Sequence, residues 1–333
     1  MNQIIRQTTV IRDGFHNGFT DLQYWQSLYW VSYRKGSGHM SMDGEVIVSV
    51  SSDRSRFREI ARVKLYGDNR DPKLFPISKD RIAMTIPTWE GDYESQSLRQ
   101  YITFSEDGYN WEKPQRILGD GEWLWRIREH NGTFYGLVTE LGTKADGGRQ
   151  HNLVLMTSTD LLSWETLARI GSSEEALSES DIHFHEDGTA WIVARSSKEP
   201  GYSYFCSSAD PYTDWNIQPL GAMIHAPIIL EHNNSLYVTG RSNPAIEGIS
   251  DFPSSASLGI WKLTCGKVES VLRIPAMGDC SYPGFIKDPE GRICLTYYSQ
   301  HAYYMGVVDD HTLSDDHSKN PDDVYFAEIE LGE

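Results

Sequence analysis

The chain has 333 residues, 39% of them hydrophobic and 12% aromatic, with a formal net charge of −17. That apolar content allows a sizeable core and excludes a disordered chain, while the acidic balance lacks the basic footprint that nucleic acid demands. No run approaches the ~18 apolar residues of a membrane span, so neither nucleic acid nor membrane is an expected partner. Residues 1–13 hold no apolar stretch of signal-peptide length, so the compartment stays open between cytoplasm and a mature exported form. Cys206, Cys265, Cys280 and Cys294 show no paired or metal-ligand spacing and are expected as packed thiols.

From the N-terminus onward, short β-rich runs come in hairpin pairs. They are 18–22 with 28–34, 72–77 with 82–90, 124–128 with 134–140, 181–184 with 190–195, 227–230 with 236–241, and 283–286 with 293–298. Turn residues separate most pairs, among them Asn131-Gly132, Asp187-Gly188, Asn233-Asn234 and Glu290-Gly291. A second phrase, Ser-x-Asp followed by an aromatic, ends at Phe57, Trp111, Trp164 and Trp215. Its aspartates, Asp53, Asp107, Asp160 and Asp210, lie 54, 53 and 50 residues apart. The carboxylate can bind turn N–H groups while the aromatic anchors the turn.

A repeat of about 50 residues with two hairpins each predicts an all-β, six-bladed β-propeller of four-stranded antiparallel blades, residues 1–333 forming one domain. Segment 324–331 is expected to pair near 8–11 and close the ring. Segments 247–257 and 301–323 break the period and read as surface loops rimming a pocket, with Asp309-Asp310 and Asp315-Asp316 as a solvated acidic rim.

In such a ring the inner strands converge on an axis. Their starts carry His16, Asn17, Asp21, Arg70, Asp71, Trp125, Arg126, Glu179, Asp181, His225, Ser281 and Tyr282. The second strands end on Arg34, Glu90, Glu140, Arg195, Arg241 and Tyr298. Several arginines facing one funnel suit a carboxylate, sulfate or phosphate on a ligand, because the guanidinium fork matches planar anions. The histidines show no metal-ligand spacing, so no metal or cofactor is expected; the one spatial alternative is His16, Asp21 and His225.

These residues resemble the sialidase superfamily, whose blades carry Asp-box (BNR) repeats like the four phrases above. Segment Ser178-Glu179-Ser180-Asp181, running on to Arg195, is similar to the sialidase blade in which a Glu polarises a tyrosine nucleophile and an Arg grips the substrate carboxylate. Segment Gly278-Asp279-Cys280-Ser281-Tyr282-Pro283-Gly284 resembles the blade bearing that tyrosine, which implies Tyr282 as nucleophile and Glu179 as its base. Arg241 matches a further member of the arginine triad. Where sialidases carry Arg-Ile-Pro, this chain reads Phe15-His16-Asn17-Gly18, and His39 or Asp43 stands near the usual general acid.

The expected function is an exo-glycosidase on an acidic sugar. Tyr282, Glu179, His39 and Asp43 are its catalytic candidates. Arg34, Arg126, Arg195, Arg241, His16, Asp71, Trp125 and His225 are its substrate-binding candidates. Two alternatives stand beside it. One is a lyase in which a His/Tyr pair drawn from His16, His225, His301 and Tyr282 acts on a uronate. The other is a propeller that binds carbohydrate without turnover.

Overall fold

The computed structural model describes residues 2–91, 97–143, 149–249, 252–308 and 313–332. Six antiparallel sheets surround one axis, five of them running in chain order from an inner to an outer strand. The inner strands are His16–Trp25 in blade 1, Lys73–Ser78 with the short Asp68–Asn69 in blade 2, and Glu122–His130 in blade 3. Leu177–Phe184, His225–His232 and Cys280–Lys287 follow in blades 4, 5 and 6. Blade 6 takes its third strand, Asp323–Glu330, from the C-terminus and its outermost, Gln3–Ile11, from the N-terminus. Thr8 pairs with Phe326 and Ile11 with Val324, so the two ends of the chain seal the ring as the sequence predicts.

Alternating β-branched and aromatic residues bury both faces of each blade, giving apolar clusters between neighbouring sheets. Trp30, Val48, Ile82 and Met84 fill the space between blades 1 and 2; Leu155, Ile182, Ile192 and Cys206 fill that between blades 3 and 4. Cys206, Cys280 and Cys294 are buried thiols, whereas Cys265 is exposed, contrary to expectation, at the Thr264–Lys267 turn.

Three Ser-x-Asp turns follow one pattern. Asp53, Asp107 and Asp160 each accept two backbone N–H bonds from the residues two and three further on. The fourth differs: Ser208 bonds the Asp214 carbonyl and Trp215 the Tyr212 carbonyl, while among the described residues the Asp210 carboxylate makes no bond. Asn131-Gly132 and Asn233-Asn234 adopt positive φ in two-residue hairpin turns, which accounts for both stretches.

Every inner strand carries one residue more than the strand beside it. The register shifts between Gly18 and Asp21, Leu124 and Arg126, Leu177 and Ser180, His225 and Ile228, and Ser281 and Gly284. In blade 2 the break between Asn69 and Lys73 has the same effect. Phe19, Asp71, Ala226 and Tyr282 sit in these bulges at φ of 57°, 42°, 49° and 46°. Such left-handed backbone costs a non-glycine residue roughly 1–3 kcal/mol and persists where surrounding structure enforces it. A bulge re-aims a side chain, and those of blades 4 and 6 bring Glu179 and Tyr282 into hydrogen-bond contact.

Candidate active site

The bulge in blade 4 sets Ser178 and Glu179 against the single residue Arg195 on the neighbouring strand. Arg195 Nη1 donates to Glu179 Oε1 over 2.7 Å, and the Ala226 N–H of blade 5 donates to Oε2 over 2.8 Å. Across the axis, the blade 6 bulge presents Tyr282, whose hydroxyl donates to the same Oε1 over 2.5 Å. Burial pushes the Glu179 carboxyl up, but the charges of Arg195 and Arg241 outweigh it and hold the group at about 2. Tyr282 is driven well above its ordinary range by burial and then by Glu179 and Asp71. The empty site therefore keeps its proton on the tyrosine.

The arginines divide into two groups. Arg241 is half-buried and has no hydrogen-bond or ion-pair partner among the described residues; it faces the rings of Tyr282 and Tyr298 and the carboxylates of Glu179 and Asp279. Arg195 and Arg70 each keep a buried, unpartnered Nε, and the Arg70 guanidinium lies 4.5 Å over the Phe19 ring. These three cations have capacity to spare. Arg34 and Arg126, expected to bind substrate, do not. Arg34 is fully buried on Asp68 at 2.7 Å, the Gly38 carbonyl and Ser41. Arg126 is held by Asp21 at 2.9 Å and the Pro283 carbonyl at 2.8 Å. Both brace neighbouring segments. Glu140 likewise pairs with Arg169 on its own sheet, and Glu90 accepts from Tyr101.

A second polar cluster joins blades 6 and 1. Asp279 Oδ2 meets His16 Nε2 at 2.9 Å and also His39 Nδ1, while Oδ1 accepts from Tyr298 at 3.0 Å. His16 Nε2 lies 3.0 Å from Asp322 Oδ2 as well. Burial pushes His16 down to about 4, so it is neutral, and it sits beneath His39 rather than facing a ligand. Arg70 Nη2 donates to His39 Nε2 at 3.1 Å, which leaves the His39 proton on Nδ1, towards Asp279. The donor atoms of His16, His39 and Asp279 lie within 4.8 Å of one another and are the described residues best arranged for a cation. As they stand Asp279 joins the two rings and a guanidinium sits on the outer nitrogen of His39, while His16 Nδ1 is buried without a partner among the described residues. The alternative set does not assemble: Asp21 binds Arg126 and the Leu74 N–H, and His225 Nε2 donates to the Gly201 carbonyl at 2.8 Å.

Asp43 stays within its own loop, accepting from the Ser37 N–H and hydroxyl. His301 also lies apart, its ring tilted against Tyr325 with centroids 4.4 Å apart and bonded to Ser299. Trp125 does line the site, its indole donating to Thr139 at 2.6 Å. Residues 317–322 approach the first blade, where the Ser318 carbonyl accepts from the His39 N–H and the Asp322 N–H donates to the Phe15 carbonyl. Asp315 and Asp316 are exposed there; Asp309-Asp310 lies outside the described residues.

Lys73 closes the floor. Its ammonium donates to the Thr20 carbonyl at 3.0 Å and stands 5.5 Å over the Tyr282 ring, with burial and Arg126 lowering it to about 8. Lys73 and Arg126 line both a small void under Tyr282 and Glu179 and a cavity of about 650 Å³ at the opposite mouth of the axis. That larger cavity is walled by Phe75, Phe184, Leu230 and Ile286 and by Arg128, which Asp181 holds. The strained backbone and unpartnered cations are at the other end.

Asp279, Asp322 and Lys73 were not among the candidate site residues read from the sequence, and Arg70 stood there only as one of the residues converging on the axis. One signal was available: His16, Asp68 and Asp279 each stand three residues ahead of the bulge residues Phe19, Asp71 and Tyr282 in adjacent blades.

No protein-family model matches the chain, and no curated protein does. Among solved structures it is similar to a protein of unknown function from Dyadobacter fermentans, at 15% identity and a TM-score of 0.79 over 99% of both chains. It is similar to Trypanosoma rangeli sialidase at 11% identity and a TM-score of 0.64, over 98% of this chain but 58% of that one. The α-L-arabinofuranosidase Arb93A of Fusarium graminearum gives 11% identity and 0.63 over 98% and 97%. The class is thus a six-bladed β-propeller, similar in fold to several carbohydrate-active propeller enzymes, sialidases among them. At such identities the likeness defines the fold.

Proposed function

We propose that the chain is an exo-acting glycosidase for an acidic sugar, with Tyr282 as nucleophile and Glu179 as its base. The observation that carries this reading is the Tyr282–Glu179 hydrogen bond set beside Arg241, a cation without a hydrogen-bond or ion-pair partner among the described residues. A ligand carboxylate takes the free N–H groups of Arg241 and Arg195. Its charge offsets the two cations that hold Glu179 low, so the base strengthens as substrate seats. Glu179 then accepts the phenolic proton while the Tyr282 oxygen attacks the anomeric carbon. A neutral nucleophile suits an anionic substrate that would repel a carboxylate. His39 reaches the site, but its Nε2 lone pair is engaged by Arg70, so it anchors that guanidinium.

The test is a panel of methylumbelliferyl glycosides of acidic sugars, with an arabinofuranoside as neutral control. Release of a free reducing sugar, lost in Tyr282→Phe, supports the reading. Tight binding without turnover under all conditions sinks it in favour of a binding protein. One observation favours a lyase as second reading: His225 Nδ1 is buried without a partner, and burial lowers the ring to about 3, leaving a neutral base beside Arg195 and Arg241. An unsaturated product absorbing in the near ultraviolet would mark that chemistry.

A further inference from the structure

We propose that Asp71 is the proton donor of this reaction, a role that rests on the glycosidase reading above. Asp71, Glu179 and Tyr282 occupy the bulges of blades 2, 4 and 6, so three alternate blades deliver them to one axis. Asp71 is 2% exposed, and neither carboxyl oxygen has a hydrogen-bond partner among the described residues. The cations next to it are directed elsewhere, Arg70 to His39 and Lys73 to the Thr20 carbonyl. A carboxylate buried without a donor is costly, whereas a carboxylic acid there carries a proton ready for an incoming acceptor.

The charged and titratable groups around Asp71 are Arg70, Lys73, His39, Glu179 and Tyr282. Burial raises its carboxyl; Arg70, Lys73 and His39 oppose this, Glu179 reinforces it, and the outcome is about 6. Glu179, by contrast, is held ionised. Two carboxyl groups in one site with their proton affinities driven apart is the division that acid–base catalysis needs. This differs from the expectation at His39 or Asp43: the first has its outer nitrogen engaged by Arg70, and the second never leaves its loop.

In the first step the glycosidic C–O bond breaks, its electron pair stays on the leaving oxygen, and that oxygen takes the Asp71 proton. The Tyr282 oxygen bonds the anomeric carbon as its own proton passes to Glu179. In the second step water adds to that carbon and gives its proton to the Asp71 carboxylate. The tyrosine oxygen departs and recovers a proton from Glu179, which returns every group to its starting state.

Leaving-group dependence tests this. Asp71→Asn should lower kcat/KM for an alkyl glycoside by about 10²–10⁴-fold, but by less than about tenfold for a nitrophenyl glycoside, whose leaving group needs little protonation. The alkaline limb of the kcat/KM profile for the alkyl substrate, centred near pH 6 in the wild type, should vanish in the variant. Equal loss on both substrates, or an unchanged limb, overturns the role of Asp71 alone. A wild type that cleaves neither substrate overturns the glycosidase reading and this role with it. Should Asp71→Asn fail to fold, carboxyl carbon-13 NMR of the wild type decides: a titration midpoint near 6 supports the role, and one at the ordinary aspartate value overturns it.

Discussion

Tyr282 and Glu179 are 103 residues apart and belong to blades 6 and 4, yet the tyrosine hydroxyl donates to Oε1 over 2.5 Å. The ring also packs edge-on against Phe19, with centroids 5.0 Å apart. Tyr282→Phe keeps that packing and removes one hydrogen bond, so unfolding free energy should change by only about 1 kcal/mol. Turnover should fall by at least about 10³-fold. Thermal unfolding and a glycoside assay on the same sample separate the two effects.

The two groups of arginines should respond in different ways. Arg241→Met breaks no hydrogen bond or ion pair among the described residues but loses the attraction of Glu179 and Asp279, so melting temperature should fall only slightly, while KM for an acidic sugar rises at least about tenfold through loss of a charge-assisted bond. Arg34→Met strands Asp68 in the interior and should destabilise the fold by about 3–5 kcal/mol whether or not ligand is present. Denaturant titration with and without an acidic sugar distinguishes them.

Asp279 and Asp322 share His16 Nε2 but differ in charge. Asp322 is pushed well above its ordinary range by burial and by Asp279, whereas contacts with His39 and His16 outweigh burial and hold Asp279 well below it. Asp322→Asn should therefore cost less than about 1 kcal/mol, since an amide replaces a neutral acid. Asp279→Asn should cost several times more, on the order of 3 kcal/mol, and free His39 from its fixed orientation. Chemical denaturation at neutral pH gives the comparison.

Asp71 sets a stability cost that grows with pH. Its folded-state value of about 6 lies above the unfolded 3.8, so the folded chain binds that proton more tightly. The resulting stabilisation is complete below the unfolded value and lost as pH rises through 6. Relative to wild type, Asp71→Asn should gain up to about 3 kcal/mol between pH 4 and pH 8. Melting curves at the two pH values check the sign.

The blade count, the hairpins and the ring closure were legible because each rests on local patterning: alternating residues, two-residue turns and a repeat of about 50 residues. Tyr282, Glu179, Arg195 and Arg241 were legible as candidates because they stand at equivalent strand ends. The division of labour among the arginines was not. Whether Arg34 is free depends on Asp68, whose approach is set by the bulge in blade 1 and the broken strand in blade 2. An extra residue in a strand shifts every later side chain by one face, and nothing in the alternation of 18–22 or 283–286 signals it. The same blindness hid Asp279, which lies just before its strand and meets His16 and His39 on another blade.

The claim beneath all of this is that a ligand anion and Tyr282 meet at the bulged end of the axis. A crystal soaked with a small set of acidic monosaccharides measures that directly. The account predicts a carboxylate bonded to Arg241 and Arg195, with the anomeric carbon about 3–3.5 Å from the Tyr282 oxygen. A sugar seated instead in the cavity of about 650 Å³ at the opposite mouth, with Arg241 still unpartnered, would contradict it.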